Sequence, residues 1–396
     1  MSRPSITNVN EFIVLDSVRL ARTTTRSELA VQLGLSPASI SRIIRRLLND
    51  GLVLEEPGES EGLGRNATVL RFNERAGSVI AIDLGGTKCL GALADLAGNV
   101  LHEERRMSFA DGNPEQSLLA IIDSLFNVAL DLDLPVRSLG IGIPAVLDPD
   151  TELVIDGPNV QWQGFDLLGL LRTRIEEPII VDNDVNLAAL GEAWQGSGVG
   201  AHSFVTLSLG TGVGAAVVVG GELLRGRHNA AGEVGFLITD RSQFKNFGPN
   251  LENLVSGAAL ENRARALVAD SLSESELAGT DISPQTVFEA AARNDSVALQ
   301  VVNELIENVA MVITAGVAFI DPEIIVLEGS IGRALEPYVR QIEDLVERAT
   351  GRTPIVSIST LGPNATIVGA IASALLLDIE TRTPIAPIAN RRISAS

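Results

Sequence analysis

The chain has 396 residues, of which 45% are hydrophobic and 20% charged, and a formal net charge of −20. That length accommodates two or three domains with cores of their own. No run of about 18 unbroken apolar residues occurs, which argues against a membrane span or membrane partner; Met1-Ser2-Arg3-Pro4 is not followed by a signal-peptide core, and the single cysteine, Cys89, excludes an internal disulfide, so a cytoplasmic location is expected.

The charge is unevenly spread. Residues 1–75 hold ten Arg and nine acids, and the remaining 321 residues therefore carry −21. An acidic body repels nucleic acid, so any DNA contact has to come from the first segment. Residues 9–22 and 26–34 have helical apolar spacing, and Gly34 ends the second run. Ser36 then reads as an N-cap, Pro37 as the first helical residue and Gly51 as the stop. Between them Ile40, Ile43, Ile44, Leu47 and Leu48 form one apolar stripe, while Ser39, Ser41, Arg42, Arg45 and Arg46 lie off it. Two short helices, a glycine turn and a third helix with an Arg/Ser outer face form a helix-turn-helix pattern, and arginine suits guanine edges and phosphates. Leu52-Val53-Leu54 and Thr68–Phe72 flank a Gly-rich stretch and predict a β-hairpin wing with Arg65 near its tip. The alternative, a helical cap whose arginines are merely solvated, does not explain why cap, turn, stripe and wing agree.

The body opens on Val79-Ile80-Ala81-Ile82-Asp83-Leu84-Gly85-Gly86-Thr87-Lys88. An apolar run ends on an acid, two glycines and a hydroxyl residue, and a second apolar run follows: strand, tight turn, returning strand. Glycines let backbone approach a ligand closely, and N–H groups in such a turn can hold phosphate. A strand starts at Val100, a helix is expected over 114–133, and Ser138–Pro144 is a strand. Its G-x-G-x-x-A resembles a dinucleotide fingerprint, but Pro144 stands where a helix would start, which rules that reading out. Pro178–Glu192 reads as a buried strand delivering Asp182, Asn183, Asp184 and Asn186 at its carboxyl end, then an alanine-rich helix. Ligands sit at such strand ends, whereas a capped helix start, with Asp182 or Asp184 as N-cap, explains only one of the acids. Phe204–Val219, around Gly210-Thr211-Gly212, repeats the strand–turn–strand design about 125 residues after the first. Two such hairpins suggest paired lobes closing on a polyphosphate, and no P-loop motif occurs. Polar islands follow at Asn159, Glu233 and Glu252. Residues 254–310 and 333–350 look helical, Glu323–Gly329 is a buried strand into a turn, and 381–396 reads as a loose tail.

These residues resemble the ROK family, which groups bacterial sugar-responsive repressors with sugar kinases. Asp83–Lys88 and Leu209–Gly214 look like its two phosphate motifs, Asn183–Asn186 with Ala188–Glu192 its sugar and catalytic segment, and Ala231–Gly235 its sugar-binding glutamate segment. The N-terminal winged helix is similar to that of the repressor branch. The resemblance implies an α/β chain: a winged helix-turn-helix (1–75), then a two-lobed actin-like fold of hexokinase and ribonuclease-H type. The lobes would be 76–190, completed by 366–380, and 191–365, with ATP and sugar meeting in the cleft between them. It implies Asp184 as general base if the chain is a kinase, with Asp83 near magnesium. Gly85, Gly86, Thr87, Lys88, Gly210, Thr211 and Gly212 would hold ATP phosphates, and Asn159, Asn183, Asp184, Glu233 and Glu252 would hold sugar hydroxyls.

Two departures stand out. The family's zinc-binding histidine and three cysteines correspond here to Phe236, Gln243, Lys245 and Asn250, so no structural zinc of that kind is expected; Phe236 also alters the sugar pocket. Ala145 replaces the glycine usual after the Pro144 position. The first reading is a repressor with operator DNA and a sugar or sugar derivative as partners, acting as a homodimer or dimer of dimers. The alternative is an ATP-dependent sugar kinase with magnesium.

Overall fold

The structure, a computed structural model, describes residues 9–57, 68–108, 114–156, 162–239, 250–270 and 275–382. Its first helices follow from their end signals. Helix α1 spans Val9–Ala21, β1 Thr23–Thr24, α2 Arg26–Leu33 and α3 Pro37–Asn49. Thr25 caps α2 reciprocally with Glu28, and Gly34 closes it at φ +63°. Ser36 caps α3, with Pro37 at its first position. Ile40, Ile43, Ile44 and Leu47 are buried, whereas Leu48 is only partly so. Strands β2 (Val53–Pro57) and β3 (Thr68–Phe72) pair antiparallel, and β1 joins the other edge of β3. This is the expected winged helix; the wing residues between, Arg65 included, lie outside the described residues.

Two five-stranded sheets follow. The first contains β4 (Ser78–Leu84), β5 (Lys88–Asp95) and β6 (Val100–Met107), then, after α4 (Pro114–Asp131), β7 (Val136–Ile143). The small ribbon β8 (Val146–Leu147) and β9 (Val154–Asp156) and helix α5 (Leu167–Arg172) precede its last strand, β10 (Ile179–Asn183). The order is β10-β7-β4-β5-β6. Helix α6 (Asp184–Gln195) leads to the second sheet: β11 (Ser203–Leu209), β12 (Val213–Val219), β13 (Glu222–Leu223), β14 (Ile324–Glu328) and β15 (Ile355–Ile358), ordered β13-β12-β11-β14-β15. Each sheet therefore places its first strand at the centre, strands two and three on one side and four and five on the other. The repeated hairpin read from sequence is the visible part of this duplication.

Among the described residues, the chain groups into two compact units. One holds residues up to Ile141, 174–181 and those from Ile371 on; the other holds 142–173 and 182–370. In the first unit, Ser78 and Ser138 are buried polar anchors: the Ser78 N–H donates to the Pro135 carbonyl at 2.9 Å, and Ser138 Oγ to that of Ala374 at 2.6 Å. In the second, an apolar core forms between the β11–β14 face and several helices, above all Ser296–Ile320. That helix and the segment Gly362–Ile379 are long and apolar enough to cross a bilayer. Ser296–Ile320 instead supplies Val301, Leu305, Ile306, Val309 and Ile313 to the core, and the last helix, Ala365–Arg382, is buried along much of its length.

Candidate functional site

The candidate DNA-contacting face is the outer side of α3. Arg42 and Arg45 are exposed, and neither is in an ion pair among the described residues. Ser39 and Ser41 are partly buried, and Ser39 Oγ accepts a hydrogen bond from Ser36 Oγ at 2.9 Å. Arg46 has a different setting: its guanidinium pairs with Glu11 of α1, a carboxylate only 2% exposed. A buried carboxylate needs such a partner, so Arg46 ties α1 to α3. Nothing in the sequence pattern pointed to Glu11.

Asp83 is the penultimate residue of β4, opposite Leu90 in the hairpin. The Gly85 N–H donates to the Lys88 carbonyl at 2.9 Å and closes the turn. Buried Ser108 supports it from behind, donating Oγ–H to the Gly85 carbonyl at 2.6 Å and N–H to that of Thr87 at 3.0 Å. Gly86, Thr87 and Lys88 are left exposed. A Cβ on Gly86 would meet nothing within 4 Å, so the protein's own packing does not demand glycine there. That bare backbone fits close approach by a phosphate from outside. Next to it, burial pushes the Cys89 thiol up to about 12, reinforced by the Asp83 carboxylate, so it is an inert packing group.

In the second unit, the Gly210 N–H donates to the Gly212 carbonyl at 3.1 Å, and the Gly257 N–H to that of Gly210 at 2.9 Å. Thr211 is exposed at the tip. Here the lack of a side chain also serves packing, since a Cβ on Gly212 would lie 3.1 Å from Glu252 Oε1.

The polar cluster at the end of β10 is built around the start of α6. Asn183, rather than either neighbouring aspartate, is the N-cap: its side-chain oxygen accepts from the N–H groups of Val185 at 3.0 Å and Asn186 at 3.3 Å. Asp182 is 5% exposed and accepts from the Asn183 N–H at 2.8 Å, Asn186 Nδ2 at 3.0 Å and Arg225 Nη1 at 2.6 Å. Through these bonds it fixes the helix start. Asp184, the neighbouring acid, is the first residue of α6. Burial raises its carboxyl to about 6, and the Glu233 carboxylate adds to the rise. Glu252 lies beside both Gly212 and Gly235, on the segment that carries Glu233. Asn183, Asp184, Glu233 and Glu252 thus belong to one unit, with the Gly210–Gly212 turn; Asn159 lies outside the described residues. Phe236 is 59% exposed, next to exposed Leu237 and Ile238.

Sequence reasoning missed three groups here. Arg225 holds Asp182. Glu192 is fully buried and accepts from the Ser197 N–H at 2.6 Å and from Ser359 Oγ. Glu328 ends β14 opposite Ser208, and burial pushes it up to about 7, with Asp184 the next cause. A lone acid closing Ile324-Ile325-Val326-Leu327 was a signal that could have marked it. Among the described residues, no group of three or more His, Cys, Asp or Glu is placed to hold a metal ion.

The fold and site define a winged helix-turn-helix joined to an actin-like body of the sugar-kinase type. Residues 14–53 match winged helix-turn-helix DNA-binding domains and residues 79–376 match the ROK family; the chain belongs to the ROK family. It is 26% identical to a putative xylose repressor of Caldicellulosiruptor sp. (strain Rt8B.4), over 93% of this chain and 96% of the relative. It is 30% identical to a glucokinase of Halalkalibacterium halodurans, over 73% of this chain and 92% of the relative. The crystal structure of a ROK family transcriptional regulator, a homolog of the E. coli MLC protein, superimposes with a TM-score of 0.81 at 24% identity, covering 94% of this chain and 98% of the other.

Proposed function

We propose that the chain is a sugar-responsive transcriptional repressor located in the cytoplasm. Residues 1–75 bind operator DNA through α3, and the second unit binds a sugar or sugar derivative through Asn183, Asp184, Glu233 and Glu252. One observation carries this reading. A winged helix with exposed Arg42 and Arg45 precedes the body, and the similarity to the putative xylose repressor includes that segment, spanning 93% of the chain against 73% for the glucokinase. A homodimer, or a dimer of dimers, would present two recognition helices to the half-sites of a palindrome. Gel-shift titration against the protein's own upstream region, with and without sugars, tests it. Retardation that responds to a sugar is expected; no retardation at moderate salt overturns it.

A second reading, ATP-dependent sugar phosphorylation, is favoured by Asp184. A carboxyl near 6 is suited to accept a proton at neutral pH, and the Gly86 and Thr211 turns suit phosphates. ADP release across a sugar panel, lost in Asp184→Asn, would support it. Equal rates in the two proteins would dismiss it.

A further inference from the structure

The helix Ala365–Arg382 has no part in the site or in the DNA-contacting face, yet it touches the supports of both. Its first turns lie against α6. Thr366 Oγ1 donates to the backbone carbonyl of Asp184 at 3.3 Å, immediately beneath the candidate base. A few residues on, the two helices meet backbone to backbone: a Cβ on Gly369 would fall 1.7 Å from the Leu187 carbonyl oxygen, and one on Gly191 2.4 Å from that of Ala365. Packing this close allows neither helix to slide without moving the other.

The last turns lie against the winged helix. Leu375, Asp378 and Ile379 line a small cavity with Leu15 and Arg19 of α1 and Phe72 of β3. Ser138, through its bond to the Ala374 carbonyl, pins the helix just before this seam. The seam itself is imperfectly made. Among the described residues, Arg19 Nε is buried there without a hydrogen-bond partner, although another guanidinium nitrogen reaches Asp16 at 3.0 Å. A buried donor left unpaired and a void beside it mark a contact with room for a second arrangement.

We propose that this helix carries the ligand signal: a change at the Asn183–Asp184 start of α6 is transmitted through Thr366 and the Gly191–Gly369 crossing, along the helix, to the Leu375–Ile379 seam on α1. The proposal rests on the reading of the chain as a sugar-responsive repressor and adds the route of regulation. A sugar shifts operator affinity only by as much as it prefers one seam arrangement over the other. Contacts at the two ends of the helix therefore set the size of the response and leave each binding event alone.

The test compares full-length wild type with Thr366→Val, Leu375→Ala and, as a control on the exposed side of the same helix, Leu376→Ala. The probe is whichever of D-xylose, D-glucose and N-acetyl-D-glucosamine shifts wild-type operator affinity. Operator Kd without sugar and sugar Kd without DNA should stay within about threefold of wild type. The sugar-induced change in operator Kd should shrink by about tenfold or more in Thr366→Val and Leu375→Ala, and persist in Leu376→Ala. An undiminished response in both seam and crossing variants overturns the proposal. Hydrogen exchange on wild type supplies a readout independent of variant folding. Sugar should alter protection of the Leu375–Ile379 and α1 amides, and unchanged protection there overturns the proposal as well. A wild type that binds operator but responds to none of the sugars counts against the sugar-responsive reading itself and removes the proposal with it.

Discussion

Asp184 illustrates what burial does to one residue. Its carboxyl, ordinarily near 3.8, is raised to about 6, so the folded chain holds that proton more tightly than the unfolded chain. The contribution to stability is complete below about pH 4 and is lost as pH rises through 6, a cost of about 2–3 kcal/mol once the group is ionised. Asp184→Asn should therefore melt higher than wild type at pH 8 and match it near pH 4. Parallel melting curves across that range would show that the carboxyl is not desolvated. Arg225 tests the opposite case. Arg225→Ala leaves the buried Asp182 carboxylate without its cation, and chemical unfolding should show a loss of about 1–3 kcal/mol. Asn183 and Asp184 were legible because polar residues at the end of an apolar strand stand out. Arg225 was not, since it lies in a loop without periodicity, 43 residues from its partner. Chain proximity could not supply that pairing.

At the scale of the element, α3 separates two kinds of arginine on one face. Arg42 and Arg45 are exposed, and replacing either with alanine should weaken operator binding by about 1–3 kcal/mol where it reads a base, with the melting temperature unchanged. Arg46→Ala should instead lower the melting temperature, because Glu11 is buried and loses its ion pair. Anisotropy titrations and thermal melts on the three variants would distinguish the roles. An unaltered melting temperature for Arg46→Ala would return that residue to the DNA-contacting set. The stripe of α3, the Gly34 end of α2, the Ser36 cap of α3 and both glycine hairpins could be read directly, as each rests on local spacing. Strands of two or three residues, such as β8, β9 and β13, are too short for any periodicity to register.

The whole molecule combines a nearly neutral head with a body of −21. The duplication of the two sheets could be anticipated from the second hairpin. The closing helix is apolar around most of its circumference and gives no amphipathic signal, so its return to the first unit was expected only from the family resemblance, and the assignment of 142–173 to the second unit was not expected at all. Charge, unlike topology, is fully readable, and it bears on how operator binding should depend on salt. Each phosphate neutralised by Lys or Arg releases counterions, and log K falls with log salt at about −0.9 per contact. Helix α3 offers two exposed arginines per subunit that are in no ion pair among the described residues, and Arg65 adds a third candidate. A dimer should then give a slope between about −3 and −6, since the acidic body contributes no attraction of its own. Random-sequence DNA, with only this electrostatic contact and none of the base readout, should be bound about a thousandfold or more weakly than operator at the same salt. A slope near −10, or random DNA bound within about tenfold of operator, would mean that the body carries a basic DNA path of its own.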